Sequence, residues 1–267
     1  MPERTEVPAG LWEKCEACGA MVYRKEVEAN LWVCPECNYH RRIDARTRLE
    51  QLTDPGSFEE FLSDLSTTDP LRFKDRIPYR ERIRAQQKST GEYEAVVVGK
   101  AYIRGRPVIL GVMNPSFIMA SMGAVVGEKI TAAIERATEE NLPFVVVTAS
   151  GGARMQEGMV SLVQMSKTAA ALAKFDDAGG LYIVIATDPT TAGVAASFAS
   201  LGDVILAEPG AMMGFAGPRV IKNTIRAELP SGFQTAEFML EKGFIDRIVP
   251  RAALGREIAR IIDYCGK

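Results

Sequence analysis

Beyond Ser89-Thr90-Gly91 the chain repeats one pattern: an apolar run, a loop of small residues, then a longer stretch with helical spacing. Residues 93–98 and 107–112 read as strands joined by a hairpin at Arg104-Gly105-Arg106. A helix is expected over residues 121–140, an Ala- and Met-rich helix over 155–175 and another over 193–200. Residues 144–148, 181–186 and 204–207 are apolar without alternation, as strands buried on both faces are. Runs that begin at Val108, Phe144 and Leu181 lie 36 and 37 residues apart. The expected fold is therefore α/β, a sheet covered on both sides by helices. A spiral of strand–strand–helix units fits better than a dinucleotide-binding fold, because no G-x-G-x-x-G follows a first strand.

The chain before this region is patterned differently. Residues 43–62 look helical with a break at Asp54-Pro55-Gly56, and 67–84 read as a polar, extended connection into a basic helix. The first 42 residues hold Cys15-x2-Cys18 and Cys34-x2-Cys37, with 15 residues between the pairs. Two CxxC turns facing each other close a tetrahedron of thiolates around one Zn2+, the spacing of a structural zinc ribbon. Two disulfides are the competing arrangement, but the start of the chain shows no secretory signal that would call for them. Three segments are expected: a ribbon over 1–42, a helical and extended connector over 43–88, and a main domain over 89–267.

Composition narrows the chemistry. Of 267 residues 47% are hydrophobic and 25% charged, and the net charge of −2 argues against a whole-molecule role on nucleic acid. No apolar run is long enough to span a membrane, so a cytoplasmic location is expected. His40 is the only histidine. Histidine-based triads and dyads are excluded unless His40 takes part, and its place beside Arg41 and Arg42 on the ribbon reads as a solvated surface. Arg24, Lys25, Arg41, Arg42, Arg46 and Arg48 around the ribbon suggest weak RNA or DNA binding, a solvated basic face, or a lid over an anionic substrate.

Two loops between a buried strand and a helix are candidates for catalysis. One is Ser150-Gly151-Gly152-Ala153-Arg154-Met155-Gln156-Glu157-Gly158, the other Asp188-Pro189-Thr190-Thr191-Ala192-Gly193-Val194. Free N–H groups at a helix start suit an oxyanion, and two such loops at one sheet edge can each offer one N–H to the same oxygen. The plain alternative is that these glycines only make tight turns. Arg154 and Glu157 are expected to form a local ion pair rather than to serve as acid and base. The small-residue loop from Asn114 to Gly123 and the stretch Phe215-Ala216-Gly217-Pro218-Arg219 either wall a pocket or pack the core.

Taken together, the ribbon cysteines, Gly123 with Val126-Gly127-Glu128-Lys129, Ser150 through Glu157, Thr187 through Thr191, Gly202-Asp203, Phe215 through Ile221 and Gly243-Phe244-Ile245-Asp246 resemble the beta subunit of bacterial acetyl-coenzyme A carboxylase carboxyltransferase. The likeness runs in order over nearly the whole chain. It implies a crotonase-like (ClpP/crotonase) spiral of ββα units with an N-terminal four-cysteine zinc ribbon. It also implies transfer of a carboxyl group from biotin, held on biotin carboxyl carrier protein, to acetyl-CoA, giving malonyl-CoA. An alpha subunit in an alpha2-beta2 assembly would complete the site. Gly151, Gly152, Ala192 and Gly193 are then the expected oxyanion donors, and Met122, Gly123, Phe215 and Gly217 the expected substrate-binding residues. Ala192-Gly193 stands where the family pattern has Gly-Gly, and residues 119–124 carry alanine where the pattern is richer in Gly and Ser. The rival readings are a crotonase-like acyl-CoA hydratase or isomerase, which needs poised carboxylates, and a zinc-ribbon nucleic-acid-binding protein.

Overall fold

The computed structural model describes residues 11–217, 221, 223–224 and 229–267. Pro218, Arg219 and Val220, part of the motif named above, lie outside the described residues. The chain opens with the antiparallel pair β1 (Trp12–Lys14) and β2 (Met21–Tyr23), followed by helix α1 (Arg24–Ala29). Among the described residues, Cys15, Val22, Val27 and Cys34 are its buried apolar core. So small a core does not hold a fold by itself, and the thiolates must supply the rest through a metal.

Helix α2 (Ala45–Leu52) starts where the Asp44 side chain accepts the Thr47 N–H at 2.9 Å. Strand β3 (Glu59–Phe61) and helix α3 (Tyr79–Thr90) follow. The spiral then runs through β4 (Val96–Ile103), β5 (Arg106–Met113), α4 (Ala124–Glu140), β6 (Phe144–Ser150), α5 (Met159–Asp177), β7 (Tyr182–Thr191), α6 (Ala192–Ala195) and β8 (Val204–Ala207). Strand β9 (Met213–Gly214), helix α7 (Ala236–Glu241), strand β10 (Arg247–Ile248) and helix α8 (Leu254–Tyr264) complete the described elements. The main sheet has the order β10-β8-β7-β6-β5-β4-β3, and β9 pairs with β7. From β5 to β10 the pairings are parallel; β3 and β4 are antiparallel additions at one edge.

Burial explains the unbroken apolar runs. Val145, Val147, Ile183 and Ile185 pack on one face with Leu49, Ile258 and Ile262. Their neighbours Phe144, Val146, Tyr182 and Val184 pack on the other with Ile130, Leu172 and Phe175. Successive side chains thus meet helices on opposite faces, so every position is apolar. The hairpin strands extend to the turn at Arg104-Gly105, farther than their apolar runs. The helix expected over 193–200 breaks after one turn, because the Ser197 hydroxyl donates to the Gly193 carbonyl at 2.6 Å and a short 3-10 turn (Phe198–Ser200) follows. Among the described residues no helix is long and apolar enough to cross a membrane.

The ribbon is seated on the core, and this corrects the reading of His40 as a solvated residue. His40 is buried; its Nε2 accepts the Arg251 N–H at 3.2 Å and its Nδ1 lies 2.9 Å from the Asn38 carbonyl. Burial depresses its pKa, so the ring is held neutral. Beneath it Glu208 is clasped by Arg48 at 2.6 Å and by Arg251 at 2.8 Å, all three buried.

Candidate active site

Parallel strands send their following loops to one edge, and the register of Ser150 against Thr190 brings the ends of β6 and β7 together there. The Thr191 hydroxyl donates to the Ser150 carbonyl at 3.0 Å, and the Thr148 and Thr190 hydroxyls lie 2.9 Å apart. Gly152 has φ +111°, and a Cβ placed on it would stand 2.5 Å from the Ala192 Cβ and 3.4 Å from the Gly193 nitrogen. A Cβ on Gly193 would stand 3.4 Å from the Ala153 nitrogen. The two loops therefore meet backbone to backbone, and only glycine fits at 152.

The N–H groups at this meeting point divide into two kinds. That of Gly151 donates to the Met119 carbonyl at 2.9 Å and that of Gly152 to the Ser150 hydroxyl at 3.0 Å. That of Ala153 finds no acceptor among the described residues, and that of Gly193 lies in the first turn of α6, where no intrahelical carbonyl reaches it, while the pairing of Thr191 with Gly214 gives the Ala192 N–H a carbonyl of β9. Ala153 was missed from the sequence, since only the dihedral at Gly152 determines which N–H turns outward. Ala192 sits at φ +51°, so the backbone takes the left-handed form there without a glycine.

The loop that walls this edge is strained as well. Ile118, Met119 and Ala120 have φ of +44°, +53° and +48°, three non-glycine residues in succession. Each such residue costs about 1–2 kcal/mol. The Ser150 hydroxyl holds the Ala120 carbonyl at 2.7 Å, and the Gln86 side chain accepts the Ile118 N–H at 3.3 Å. Such strain gathers at functional sites. Met122 is buried beneath the loops, its N–H bonded to the Gly152 carbonyl at 2.8 Å. Phe215 is exposed at the end of β9 and, with Met239 and Phe244, lines a cavity of about 240 Å³; Gly217 lies just beyond.

Arg154 and Glu157 are ion-paired at 3.5 Å, as expected, within a larger buried cluster. Arg154 forks onto Glu94 at 2.5 and 2.9 Å and donates to the Tyr79 hydroxyl at 3.0 Å. Tyr79 donates in turn to Glu157 at 2.6 Å, and burial pushes the phenol's pKa up. The second Glu157 oxygen accepts the Ala124 N–H at the start of α4 at 2.6 Å, packed against Gly123. Every oxygen of this carboxylate is occupied, so it positions α4 and is not poised as the acid or base of a hydratase.

At the ribbon the four cysteine Sγ atoms lie within 4.8 Å of one another. A Zn–S bond of about 2.3 Å sets tetrahedral sulfurs about 3.8 Å apart, and Cys15 and Cys37 stand at 3.8 Å. Burial opposes ionisation of Cys15, but the Cys18 and Ala17 N–H groups and two neighbouring thiols bring it down to about 6. At Cys37 the Tyr39 N–H favours the thiolate, yet desolvation and the other three sulfurs push it up to about 12. The four thiols do not all ionise without a dication between them, and Cys15, Cys18, Cys34 and Cys37 hold a structural zinc. Of the six basic residues around the ribbon, Arg24, Arg41, Arg42, Arg46 and Arg48 are paired with Glu28, Glu13, Asp188, Glu60 and Glu208, Arg46 also with Glu92. Lys25 alone has no carboxylate partner among the described residues.

Comparison with known proteins agrees with this geometry. Residues 41–260 match the carboxyl transferase domain family, and residues 12–37 match the acetyl-CoA carboxylase zinc finger domain. The chain is 55% identical over 262 residues to the acetyl-coenzyme A carboxylase carboxyl transferase subunit beta of Rhodopirellula baltica, covering 98% of this chain and 84% of that one. It is 55% identical to the same subunit of Desulforamulus reducens, covering 99% and 91%. Among solved structures it superposes on transcarboxylase 12S with a TM-score of 0.70 at 27% identity, over 83% of this chain and 41% of that one. A chain of the Pseudomonas malonate decarboxylase MdcD-MdcE hetero-dimer shares the fold, with a TM-score of 0.62 at 23% identity over 82% of this chain and 86% of that one. With a ribbon, a crotonase-like spiral and both family matches in their expected order, the chain belongs to the family of acetyl-coenzyme A carboxylase carboxyl transferase beta subunits.

Proposed function

We propose that this chain is the acyl-thioester half of a biotin-dependent carboxyltransferase that converts acetyl-CoA to malonyl-CoA, the committed step of fatty acid synthesis, with Gly193 and Ala153 as its oxyanion donors. The observation that carries the reading is the meeting of the two loops, where the unpartnered Ala153 N–H and the first turn of α6 at Gly193 come together. Removing a proton from the methyl carbon of the thioester leaves an enolate, whose oxygen needs fixed donors. Gly193 lies in the first turn of α6 and Ala153 just past Gly152, close enough at the loop junction for one oxygen to take both. Ala192 lies beside them, while Gly151 and Gly152 shape the turn. Carboxybiotin, when bound, would supply the carboxyl group by cleavage of its N–CO2 bond; the ureido nitrogen so freed would take the methyl proton, and the enolate carbon would add to the released CO2. No side chain has to act as base, in keeping with a chain whose one histidine is locked in the ribbon seam.

The biotin half of the site comes from a second crotonase-like subunit. Met119, Met155 and Met159 are between 65% and 69% exposed beside the donor loops, an apolar rim suited to a partner of similar fold. An alpha subunit in an alpha2-beta2 assembly, with biotin carboxyl carrier protein as the donor's carrier, fits that rim. Met122, Gly123, Phe215 and Gly217 wall the thioester side. Four zinc-bound thiolates suit a reducing, cytoplasmic setting.

The test is Gly193→Pro, which removes one donor within the first turn of α6, where the missing N–H has no intrahelical partner to lose. Transfer in the reconstituted enzyme should fall by about 10²–10³ with zinc content and circular dichroism unchanged. Full activity in that variant would remove Gly193 from the site.

A further inference from the structure

The seam between ribbon and core is organised around one buried side chain. Arg251 donates from Nη1 to the Leu31 carbonyl and from Nη2 to the Arg41 carbonyl, each at 2.8 Å, while its Nε holds Glu208 at 2.8 Å. Its own N–H donates to His40, whose other nitrogen bonds the Asn38 carbonyl at 2.9 Å. Asn38 N–H donates to the Cys34 carbonyl and Cys34 N–H to the Tyr39 carbonyl, both at 2.9 Å. The second cysteine knuckle is thus hydrogen-bonded, through His40, to a residue of the core.

The same clasp reaches the donor loops from the other side. Glu208 N–H donates to the Ala186 carbonyl of β7 at 3.0 Å. Arg42, on the ribbon side, pairs with Asp188 at 2.9 Å, and the second Asp188 oxygen accepts the Met212 N–H at 3.3 Å. A small cavity in the seam is bounded by Arg41 and Arg42 on one side and by Ala149 and Thr187 on the other. Those last two residues stand just ahead of the two loops.

We propose that Arg251 is a positioning residue for carboxyl transfer: it transmits the zinc-held shape of the ribbon to the loops after β6 and β7, and by the same bonds it helps the ribbon retain its zinc. This rests on the carboxyltransferase reading above and adds a reciprocal link to it. If bound zinc favours the seated ribbon, then seating favours zinc by the same factor. Groups hydrogen-bonded to a metal ligand commonly change metal retention by about 10–100-fold, and His40 and Arg251 act one and two hydrogen bonds further out, through Asn38.

The experiment compares Arg251→Lys and His40→Ala with Arg256→Lys, a matched change on an exposed position of α8. Two quantities are read on the full chain: the rate of zinc release to a chromogenic chelator, and kcat and KM after reconstitution with the alpha subunit. Arg251→Lys and His40→Ala should release zinc about tenfold faster or more. They should lower kcat with KM for the thioester unchanged, and saturating zinc should not bring kcat back in full, because the seam bonds that hold the loops stay broken. Arg256→Lys should change neither quantity. Unchanged zinc release in both variants overturns the proposal, as does a fall in kcat that added zinc reverses completely. If Arg251→Lys does not fold, His40→Ala decides alone, since it leaves the Glu208 clasp intact. If the unaltered chain transfers no carboxyl group with any alpha subunit, the reaction assigned above fails, while zinc release still reads the link between seam and ribbon.

Discussion

Gly152 and Ala192 show how finely single residues are set at the junction. Gly152→Ala would put a Cβ 2.5 Å from the Ala192 Cβ at a φ of +111°. We expect a loss of about 1–3 kcal/mol in stability and near-complete loss of transfer, measured by denaturant midpoint and by turnover. Ala192→Gly acts the other way. It relieves about 1–2 kcal/mol of left-handed strain against about 0.5–1 kcal/mol of added unfolded-state freedom. The midpoint should stay level or rise, with transfer retained. At Glu208 desolvation raises the pKa, but Arg48 and Arg251 overcome it and hold the carboxyl down to about 2. A carboxyl depressed below its ordinary 4.5 stabilises the fold above that pH and loses the contribution as pH falls towards 2. Acid titration of stability should therefore steepen between those values. Glu208→Gln should flatten that slope while costing about 3–5 kcal/mol at neutral pH, because two buried guanidiniums lose their counter-charge. The glycine pair and the loop were legible in the sequence as an anion-binding pattern. Which N–H groups remain free was not, since that depends on Gly152 turning Ala153 outward and on Ser150 and Met119 taking the neighbouring donors.

Among the elements, the inner strands were the easiest to read. Apolar side chains on both faces of β6 and β7 leave an unbroken run in the sequence, and that run has no other use in a chain without membrane-spanning helices among its described residues. Strand β3 was invisible by the same logic, because Glu59-Glu60-Phe61 lies at the sheet edge and half of it faces solvent. Helix α6 was read too long because a hydroxyl capturing a carbonyl one turn back leaves no trace in periodicity. The ribbon was legible from four cysteines, but its seating on the core was not, since His40 and Arg251 are far apart in sequence and His40 alone reads as a surface residue. Chelation should unfold residues 11–40 and leave the main sheet intact, because the ribbon's apolar core is tiny and the sheet's two cores are large. Hydrogen exchange before and after zinc removal checks this: protection lost throughout β6 and β7 would show that the two parts do not separate.

On the scale of the whole molecule, the chain carries one crotonase-like core and an exposed methionine rim beside its donors. Purified alone it should transfer no carboxyl group and should self-associate through that rim; mixed with an alpha subunit it should become active and well dispersed. Gel filtration with and without the partner, alongside turnover, distinguishes this from a self-sufficient enzyme. The N–H groups of Gly193 and Ala153, proposed as donors, have a consequence for inhibition. A peptide nitrogen cannot be acylated, alkylated or oxidised by reagents that seek out serine, cysteine or histidine. On the proposed donors, covalent inhibitors directed at nucleophilic side chains find no catalytic target among the described residues of this half, and effective compounds present an anionic oxygen to the two amides.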